Sequence, residues 1–480
     1  MRSISPFNGI SRRDFLGTTA AAAALSFVDL TGVGRVHAQP FRAAVADDFE
    51  GRLCYNENPL GPSPEALVAM QEACTLAHRY PDWFSGGLES RIADHFGLSA
   101  ANVCAGAGAT EVIRLIADAL LGPGDEVVTA TPTYTQMGNE AVANGASVVH
   151  VPVDENHVID LDAILAAIGP STTMVSLVNP NNPLATIFNK ADLENFVEAL
   201  PAGVVVVVDE AYHDYVHSPD YESCVRYVHE GKPFIVVRTM SKAYGLAGSR
   251  IGYALGAPGY ISQIASSQLF GTISRPSQAA AQAALDDAAH VVGTVAVNDQ
   301  AKALLETGFA TLGLDFIPSH TNFMMFDTGG SGASIAAELA TLGYQVRTGW
   351  GMPQYIRVST GLLSETQGFL DALASILATG VSDDPALPHS LAVSAAFPNP
   401  FNATCNIKLS IPTAEPVSLT IYDLAGRKIR VLMTGLLDPG VHQVTWDGRD
   451  FAGRSVASGT YAINLIQGEF ATSSRVSFVK

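Results

Sequence analysis

The strongest fold signal in this chain is the run Val204-Val205-Val206-Val207-Val208-Asp209-Glu210-Ala211-Tyr212. An unbroken β-branched run bounded by polar residues is typical of a strand that is buried on both faces of a parallel sheet. A second run, Ile235-Val236-Val237, is followed by Arg238-Thr239-Met240-Ser241-Lys242. Ligands of such sheets bind just beyond the carboxyl ends of the strands. The residues that follow both runs are therefore expected to face one crevice.

Four side chains at these strand ends are suited to chemistry, namely Asp209, Tyr212, Ser241 and Lys242. Taken alone, Lys242 would be interpreted as a solvated surface lysine and Asp209 as the N-cap of a helix. Together they place an amine, which can bond covalently to a carbonyl carbon, close to a carboxylate that can pair with a positively charged group. Because buried lysines are rare and often functional, this combination predicts a catalytic crevice with Lys242 as the reactive group.

Two segments of this crevice resemble a known enzyme family. They are Asp209-Glu210-Ala211-Tyr212 and Thr239-Met240-Ser241-Lys242-Ala243-Tyr244-Gly245-Leu246-Ala247-Gly248-Ser249-Arg250. Both are similar to the fold-type I, class I/II pyridoxal-phosphate aminotransferases, in particular to their histidinol-phosphate aminotransferase-like branch. The entry motif of that branch resembles Asn56-Glu57-Asn58-Pro59-Leu60-Gly61-Pro62-Ser63-Pro64, and a later motif resembles Arg79-Tyr80-Pro81-Asp82. The resemblance covers roughly residues 53–377.

The resemblance implies pyridoxal 5′-phosphate as the cofactor and gives each crevice residue a role. Lys242 is expected to bind the cofactor covalently and to move a proton on the substrate. Asp209 is expected to pair with the pyridine nitrogen, so that the ring can accept electrons, and Tyr212 to bond the 3-oxygen of the ring. The reaction expected from the family is the transfer of an amino group between an amino donor and a 2-oxo acid acceptor.

A phosphate site is expected at Gly106-Ala107-Gly108-Ala109-Thr110-Glu111, because apolar residues at helical spacing follow it. Glycines let the backbone approach an anion closely, and the free amides at a helix N-terminus can hold a phosphate. By itself this motif would be interpreted as an ordinary tight turn. The resemblance makes Ala109, Thr110 and Glu111 the first turn of the phosphate site, with side-chain contacts from Ser241 and Arg250.

Two further segments match family positions at the cofactor ring. Tyr134 in Thr131-Pro132-Thr133-Tyr134 matches the aromatic residue that stacks on the pyridine, and without its neighbours it would be interpreted as a half-buried core tyrosine. Asn182 in Asn179-Pro180-Asn181-Asn182-Pro183 matches the amide that donates to the 3-oxygen. The chain departs from the family here, because Leu184-Ala185 replaces the usual Thr-Gly. A residue with a Cβ resists positive φ, which puts the local turn in doubt.

Substrate contacts are expected from Arg357 and Arg347, which lie in the segments Tyr355-Ile356-Arg357-Val358-Ser359 and Gln345-Val346-Arg347, and these segments resemble strands of the family's small domain. Arg357 matches the arginine that binds the substrate's carboxylate or phosphate, and Arg347 matches a second anion-binding position. The alternative for both is a surface ion pair. Asn58 in the entry motif is also expected to contact substrate, and Tyr80 is expected to reach the cofactor phosphate of a partner subunit. The enzyme is therefore predicted to be a homodimer.

Length and composition agree with a multidomain α/β enzyme. A chain of 480 residues has room for about three domains. The predicted architecture is α/β: an aminotransferase at 39–380, with a large domain at about 85–315 built on a mostly parallel seven-stranded sheet and a smaller α+β domain from both ends. A linker at 381–390 and an Ig-like β-sandwich at 391–480 follow. The net charge of −19 argues against nucleic-acid binding.

The first 38 residues are predicted to be a twin-arginine export signal. Arg12-Arg13-Asp14-Phe15-Leu16 precedes an alanine-rich apolar stretch, and Val36-His37-Ala38 is typical of a signal-peptidase site. An amphipathic N-terminal helix fits poorly, because the stretch has no polar face. The predicted location is therefore the periplasm or the cell surface. No other apolar stretch is long enough to predict an integral membrane span. The five cysteines, odd in number and without close pairs, indicate neither a disulfide scaffold nor a metal site.

The C-terminal module has alternating apolar strands separated by glycine and aspartate turns, which is typical of a small β-sandwich. Segments such as Val444-Thr445-Trp446-Asp447-Gly448-Arg449-Asp450 resemble the Ig-like module of flagellar hook-capping proteins and the sorting domains of type IX secretion. The resemblance implies sorting, anchoring or spacing, through a secretion or cell-envelope partner. No residue of the module is typical of catalysis.

The sequence leaves three alternatives open for function. The first is an aromatic amino acid aminotransferase instead of a histidinol-phosphate aminotransferase-like enzyme. The second keeps the fold but carries out decarboxylation or lyase chemistry, as in relatives that resemble threonine-phosphate decarboxylase. The third is a binding or surface protein with an idle site. The presence together of Asn182, Asp209, Tyr212, Lys242 and Arg250 disfavours an idle site.

Overall fold

The protein is described here from a computed structural model of residues 50–81, 86–378, 391–394, 396–411, 416–423, 426–437, 440–467 and 470–480. The export signal predicted at 1–38 and the linker predicted at 381–390 lie outside these residues.

Nineteen strands are present in the described part of the chain. The first twelve are β1 (Gly51–Arg52), β2 (Val103–Gly106), β3 (Glu126–Thr131), β4 (Ser147–Pro152), β5 (Thr172–Val178), β6 (Val205–Asp209), β7 (Phe234–Thr239), β8 (Gly252–Gly256), β9 (Phe316–Ile317), β10 (Phe323–Asp327), β11 (Tyr344–Gln345) and β12 (Tyr355–Ser359). The remaining strands are β13 (Ala392–Val393), β14 (Cys405–Ile411), β15 (Pro416–Asp423), β16 (Lys428–Leu436), β17 (Gly440–Trp446), β18 (Gly459–Gln467) and β19 (Phe470–Phe478).

The α-helices of the described residues all precede β13. They are α1 (Pro64–Cys74), α2 (Gly86–Phe96), α3 (Ala109–Leu120), α4 (Gln136–Ala143), α5 (Leu161–Ala166), α6 (Lys190–Ala199), α7 (Val225–His229), α8 (Pro258–Ser266), α9 (Arg275–Asp286), α10 (Ala288–Leu312), α11 (Gly332–Thr341) and α12 (Leu363–Ala378). No helix in these residues is long and apolar enough to cross a membrane.

The large domain is built on a seven-stranded sheet with the order β2-β8-β7-β6-β5-β3-β4. The strands β3 to β7 pair in parallel, and β8 runs antiparallel to both of its neighbours. All five residues of β6 are buried, as are all six of β7, because each strand has a core on both faces of the sheet. The carboxyl ends of these two strands are adjacent, which brings Asp209 and Lys242 to the same edge.

The smaller domain joins both ends of the enzyme segment. Strand β1 pairs in parallel with β11, and β10 pairs with β9 and β12 in an antiparallel sheet. Leu53 packs in one apolar core with residues of α10, β10, β12 and α12. The entry segment therefore crosses from the small domain to the crevice, and it is continued by α1, where Ser63 accepts the N-cap hydrogen bond from Ala66 N.

The C-terminal residues form two antiparallel sheets, with the orders β13-β14-β17 and β16-β15-β18-β19. Alternating residues of both sheets share one core, which includes Trp446 and Ile463. The structure thus confirms the predicted fold class: a mostly parallel seven-stranded sheet, a smaller α+β domain and a β-sandwich.

Candidate functional site

A cavity of about 350 Å³ lies beyond the carboxyl ends of β5, β6 and β7. Its wall brings together most of the residues singled out in the sequence: Ala109, Thr110, Tyr134, Asn182, Asp209, Tyr212, Ser241, Lys242, Arg250, Arg347 and Arg357. These residues come from separate parts of both domains. A polar cavity assembled at this edge of an α/β sheet is the expected place for a ligand.

Lys242 lies just after β7, and its amine is directed at the entry segment. Its Nζ donates hydrogen bonds of 3.0 Å to the carbonyl oxygens of Tyr55 and Asn56. Burial, and next the positive charge of Arg357, lower the pKa of Lys242 to about 8. A much larger fraction of this amine is neutral near pH 8 than of an ordinary lysine, so the side chain is poised as a nucleophile and a base.

Asp209 ends β6 at the bottom of the cavity. Its Oδ1 accepts a hydrogen bond of 3.0 Å from Ala211 N. Burial raises the pKa of the Asp209 carboxyl to about 6, although the Ala211 hydrogen bond and the charge of Lys242 act in the opposite direction. A positive group placed against this carboxylate would favour its ionised form, because opposite charges at short range lower a carboxyl pKa.

Tyr212 is held by contacts on two sides. Its hydroxyl accepts a hydrogen bond of 3.0 Å from Asn56 Nδ2, and its ring meets that of Phe323 edge-on at 5.1 Å. The Nζ of Lys242 lies 5.6 Å from the centre of the same ring. These contacts fix the phenol beside the amine.

The N-terminus of α3 and Arg250 form a concave cradle. Gly108 precedes the helix with φ of +84°, and a Cβ added there would overlap the guanidinium of Arg250. A Cβ on Gly252 would likewise meet the backbone of Ala109. The Nη1 of Arg250 donates a hydrogen bond of 3.1 Å to Ala247 O, and the same nitrogen lies 3.5 Å from Ser241 Oγ. Helix amides, a hydroxyl and a guanidinium are suited to a phosphate.

Arg357 is the cation that the small domain brings to the cavity. It is 3% exposed, and its Nη1 donates to Asn182 Oδ1 at 2.7 Å while its Nη2 donates to Cys54 O at 2.9 Å. Its Nε is buried with no hydrogen-bond partner within the described residues. Buried donors are normally satisfied, so this guanidinium retains capacity for an anionic ligand.

Arg347 lies beside Arg357 in an isolated antiparallel bridge, in which each backbone N–H donates to the other residue's carbonyl oxygen at 3.0 and 2.8 Å. The pKa of Arg357 is lowered to about 10, mainly by burial and to a smaller extent by the charge of Arg347. Two guanidinium groups thus line one side of the cavity.

Three of the predicted residues do not line the cavity. Glu111 turns back to accept a hydrogen bond from Ala107 N. Asn58 is buried instead against the segment that follows Lys242. Its Nδ2 donates hydrogen bonds of 3.0 Å to Ala243 O and to Thr294 Oγ1. Because the amide nitrogen of Asn58 is bonded within the protein, the geometry does not support the contact with substrate that was predicted for this residue. Tyr80 is 80% exposed and packs on Phe270 at 5.7 Å.

Several residues at the site were not predicted from the sequence to contribute to it. Tyr55, Asn56 and Glu57 line the cavity. Asn56 holds Tyr212, and its presence in the entry motif was the signal that could have found it. Trp350 lies against both arginines, with its ring centre 5.0 Å from Cζ of Arg357 and 5.8 Å from Cζ of Arg347. No feature of the sequence around Trp350 predicts that contact.

The substitution at Leu184-Ala185 leaves the turn intact. Ala185 adopts φ of +64°, the left-handed conformation that the usual glycine would take without strain. The turn is closed by Ala185 N donating to Asn181 O at 2.7 Å and by Asn181 N donating to Thr186 O at 2.8 Å. The methyl group of Ala185 is buried with Tyr212 and Phe323, which offsets the cost of the backbone conformation.

The cavity fits pyridoxal phosphate group by group. The cradle at Gly108 suits the phosphate, the buried Asp209 needs a positive partner such as a pyridinium nitrogen, and the amine of Lys242 suits the aldehyde. Tyr134 forms part of the wall between them. The donors and acceptors for the cofactor thus come from side chains and helix amides in separate parts of the chain.

Comparison with known proteins agrees with this geometry. Residues 51–373 match the family model of aminotransferase class I and II, and residues 401–467 match that of the FlgD Ig-like domain. The chain is 38% identical over 330 residues to a histidinol-phosphate aminotransferase of Moorella thermoacetica, covering 68% of this chain and 85% of that protein. A similar relative from Bacillus licheniformis is 37% identical, over 68% of this chain and 91% of its own length.

A solved structure of histidinol-phosphate aminotransferase from Sinorhizobium meliloti, in complex with pyridoxal-5′-phosphate, is also similar. It superposes with a TM-score of 0.65 at 30% identity, covering 69% of this chain and 91% of that one. The family match spans more than half of the chain, and it contains both strands that form the crevice. The chain therefore belongs to the class I and II aminotransferases, and it is a histidinol-phosphate aminotransferase-like enzyme whose cofactor is pyridoxal phosphate.

Proposed function

We propose that this protein is an exported aminotransferase that moves an amino group between an amino acid or amine and a 2-oxo acid. The observation that carries the proposal is the meeting of Lys242, Asp209 and Arg357 in one cavity. The first has an amine of lowered pKa, the second is a buried acid, and the third retains a donor for an anion. An amine, an acid and an anion site are the three elements that amino transfer requires.

The bound cofactor supplies an aldehyde that condenses with amines and a ring that accepts electrons from the substrate's Cα. Lys242 provides the attachment point, and after release its neutral amine takes the proton from Cα and returns a proton during the transfer. Asp209 keeps a negative charge against the ring nitrogen and so stabilises the charge that develops in the transition state. Near pH 8 the Asp209 carboxyl, with a pKa of about 6, is ionised, and about half of the Lys242 amine, with a pKa of about 8, is neutral.

The remaining cavity residues hold the cofactor in one orientation. Ala109, Thr110, Ser241 and Arg250 bind the phosphate, and Tyr134 stacks on the ring. Tyr212 and Asn182, which both line the cavity, would bond the 3-oxygen. Glu111 supports the first turn of α3 through Ala107 N and contributes no direct contact.

The substrate anion is held by Arg357, with Arg347 as a second positive group. A guanidinium presents its donors in a planar fork that matches a carboxylate or a phosphate. Both half-reactions use this one site, because the amino donor leaves as an oxo acid before the acceptor enters. Histidinol phosphate is one candidate donor and an aromatic amino acid is another; export from the cytoplasm favours a donor available outside it.

A homodimer is part of the proposal, with the two sites completed across the interface. Tyr80 is exposed, and Leu269, Phe270 and Leu76 are exposed apolar residues of the same chain. The ring of Tyr80 packs on that of Phe270, which Leu269 precedes in the chain, and contiguous exposed apolar patches are typical of surfaces that a partner covers. Tyr80 would bond the cofactor phosphate of the partner subunit, as the family resemblance implies.

The two ends of the chain would determine its destination. Residues 1–38 carry the twin-arginine sequence features, and twin-arginine export moves proteins that have already folded and taken up their cofactor. The β-sandwich from about residue 391 has its own apolar core. It would sort, anchor or space the enzyme at the cell envelope.

The decisive experiment measures cofactor absorbance and amino transfer with the purified mature protein. A panel of amino donors, among them histidinol phosphate and aromatic amino acids, is assayed with 2-oxoglutarate, while carbon dioxide release is followed in parallel. We expect a donor-dependent loss of 2-oxoglutarate without carbon dioxide. The Arg357→Gln variant, which lacks the guanidinium that holds the substrate anion, is assayed in parallel as the control for the anion site. Carbon dioxide release without amino transfer would instead identify a decarboxylase.

A further inference from the structure

Trp350 occupies an unusual position behind the anion site. Its ring centre lies 5.0 Å from Cζ of Arg357 and 5.8 Å from Cζ of Arg347, so one indole contacts both guanidinium groups. The indole does not line the main cavity but an adjoining one of about 310 Å³, which shares Tyr134 with it. Trp350 is therefore in contact with both arginines without lining the cavity that they line, so its effect on a ligand there would pass through them.

The backbone at Trp350 is strained in a way that serves this contact. Trp350 has φ of +59°, and its neighbours Gly349 and Gly351 have φ of +130° and +74°. A bulky residue with positive φ is an outlier, and such strain persists only where the surroundings over-determine it. The two glycines accept the left-handed turn that directs the indole at the arginines.

The arginines need such support because like charges repel each other. The guanidinium of Arg357 is in contact with two aromatic rings, since its Cζ lies 5.1 Å from the ring centre of Phe323 as well as 5.0 Å from that of Trp350. The negative face of an aromatic ring attracts a guanidinium, most strongly in the case of tryptophan. The indole is itself anchored, since it packs against the apolar cluster of Leu184, Ile317 and Met325. One ring thus connects both cations to the fold.

We propose that Trp350 is a positioning residue that holds Arg347 and Arg357 as one two-cation wall, and that it thereby sets the preference of the site for acids with two negative groups over monocarboxylates. This inference rests on the proposed function, in which both arginines bind substrate anions. Trp350 makes no contact with the reacting atoms; it acts through the two guanidinium groups.

The test compares Trp350→Leu, which keeps apolar bulk without an aromatic face, with Trp350→Phe, which keeps a weaker one. The holoenzyme is titrated with glutarate, a dicarboxylate, and with butyrate, a monocarboxylate, and binding is followed by the change in cofactor absorbance. We expect Trp350→Leu to raise the Kd of glutarate about ten-fold and Trp350→Phe to raise it about three-fold. The Kd of butyrate should rise less. The KM for 2-oxoglutarate should rise with glutarate's Kd, while kcat stays within about two-fold.

Arg347→Gln and Arg357→Gln separate the two levels of the proposal. If Arg357→Gln left glutarate binding unchanged, the proposed anion site itself would be wrong. If it weakened binding while both Trp350 variants bound glutarate normally, the role of Trp350 alone would be wrong. Trp350→Leu and Arg347→Gln are both expected to weaken the binding of glutarate more than that of butyrate. An equal rise in the two Kd values in Trp350→Leu would overturn the two-cation wall. If Trp350→Leu did not fold, the three-fold effect of Trp350→Phe would carry the test.

Discussion

Arg357 donates a hydrogen bond of 2.7 Å from Nη1 to Oδ1 of Asn182. This bond joins β12 of the small domain to the turn that follows β5 in the large domain. Because the oxygen of Asn182 accepts from Arg357, its amide nitrogen is the group left to donate to a ligand in the cavity. The residue expected at the cofactor's 3-oxygen and the residue expected at the substrate's anion are therefore coupled directly, so a change at one should be felt at the other.

Lys242→Ala should abolish turnover and covalent attachment of the cofactor. Noncovalent binding should remain, because Asp209 and the cradle at Gly108 are untouched. Reduction of the wild-type protein with borohydride, followed by peptide mapping, locates the attachment point. A reduced adduct on any other lysine would contradict this assignment.

The reactivity of Lys242 should depend on pH with a midpoint near 8. Burial and the charge of Arg357 lower the pKa of this amine to about 8, so half of it is neutral at that pH and the neutral fraction levels off only well above it. An ordinary lysine would still be gaining reactivity near pH 10. Mixing apoprotein with pyridoxal phosphate at pH 6.5 to 9.5, with absorbance as the readout, gives the profile. In Arg357→Gln the midpoint should move up, since a lowering charge is removed; an unmoved midpoint would show that Arg357 has no such effect.

Asp209→Asn should separate activity from stability. Loss of the charge opposite the ring nitrogen should lower turnover about 10²-fold or more. The apoprotein should become more stable at pH 7, because burial raises the pKa of this carboxyl from 3.8 to about 6, at a cost of at most about 3 kcal/mol when it is ionised. A raised pKa contributes stability that is present at low pH and lost as the pH increases through about 4 to 6. Urea unfolding of both apoproteins at pH 4 and pH 7 checks the sign; a wild-type advantage at pH 7 would contradict it.

The mature enzyme should be a dimer whose cofactor site includes Tyr80 of the partner subunit. Tyr80→Phe removes one hydroxyl from a side chain that is 80% exposed in the single chain, so the stability of the fold should change little. Affinity for pyridoxal phosphate should nevertheless fall, because a phosphate contact is lost. Light scattering gives the mass, and equilibrium dialysis gives the affinity. An active monomer at the assay concentration would rule out shared sites.

Export and the β-sandwich should be separable from catalysis. A truncated protein of residues 39–381 should bind cofactor and transfer amino groups like the full chain, because the sandwich has its own core. Changing Arg12 and Arg13 to Lys should retain the precursor in the cytoplasm, folded and loaded with cofactor. N-terminal sequencing of the secreted protein should begin after Ala38. An inactive truncated protein would make the sandwich part of the catalytic fold, and an exported Lys-Lys variant would mean that another signal is used.

Local pattern was enough to predict the crevice from sequence. The valine run ending at Asp209 and the run before Lys242 are short-range signals, since unbroken β-branched segments with polar ends have few other solutions in an α/β protein. The glycines before an amphipathic helix predicted the cradle at Gly108 only together with the family resemblance, because alone they indicate an ordinary tight turn. The alternating strands after residue 391 predicted a sandwich.

Only the tertiary structure decided how distant segments share one cavity. Asn58 and Asn56 lie two positions apart in one motif, yet Asn56 reaches Tyr212 while Asn58 is used up by Ala243 and Thr294. The direction of a side chain in an irregular segment depends on the elements that pack around it, which no local pattern encodes. For the same reason the sequence determined that Arg347 and Arg357 are present, but only the fold joined both to Trp350, because that contact depends on a left-handed turn and on an apolar cluster drawn from both domains.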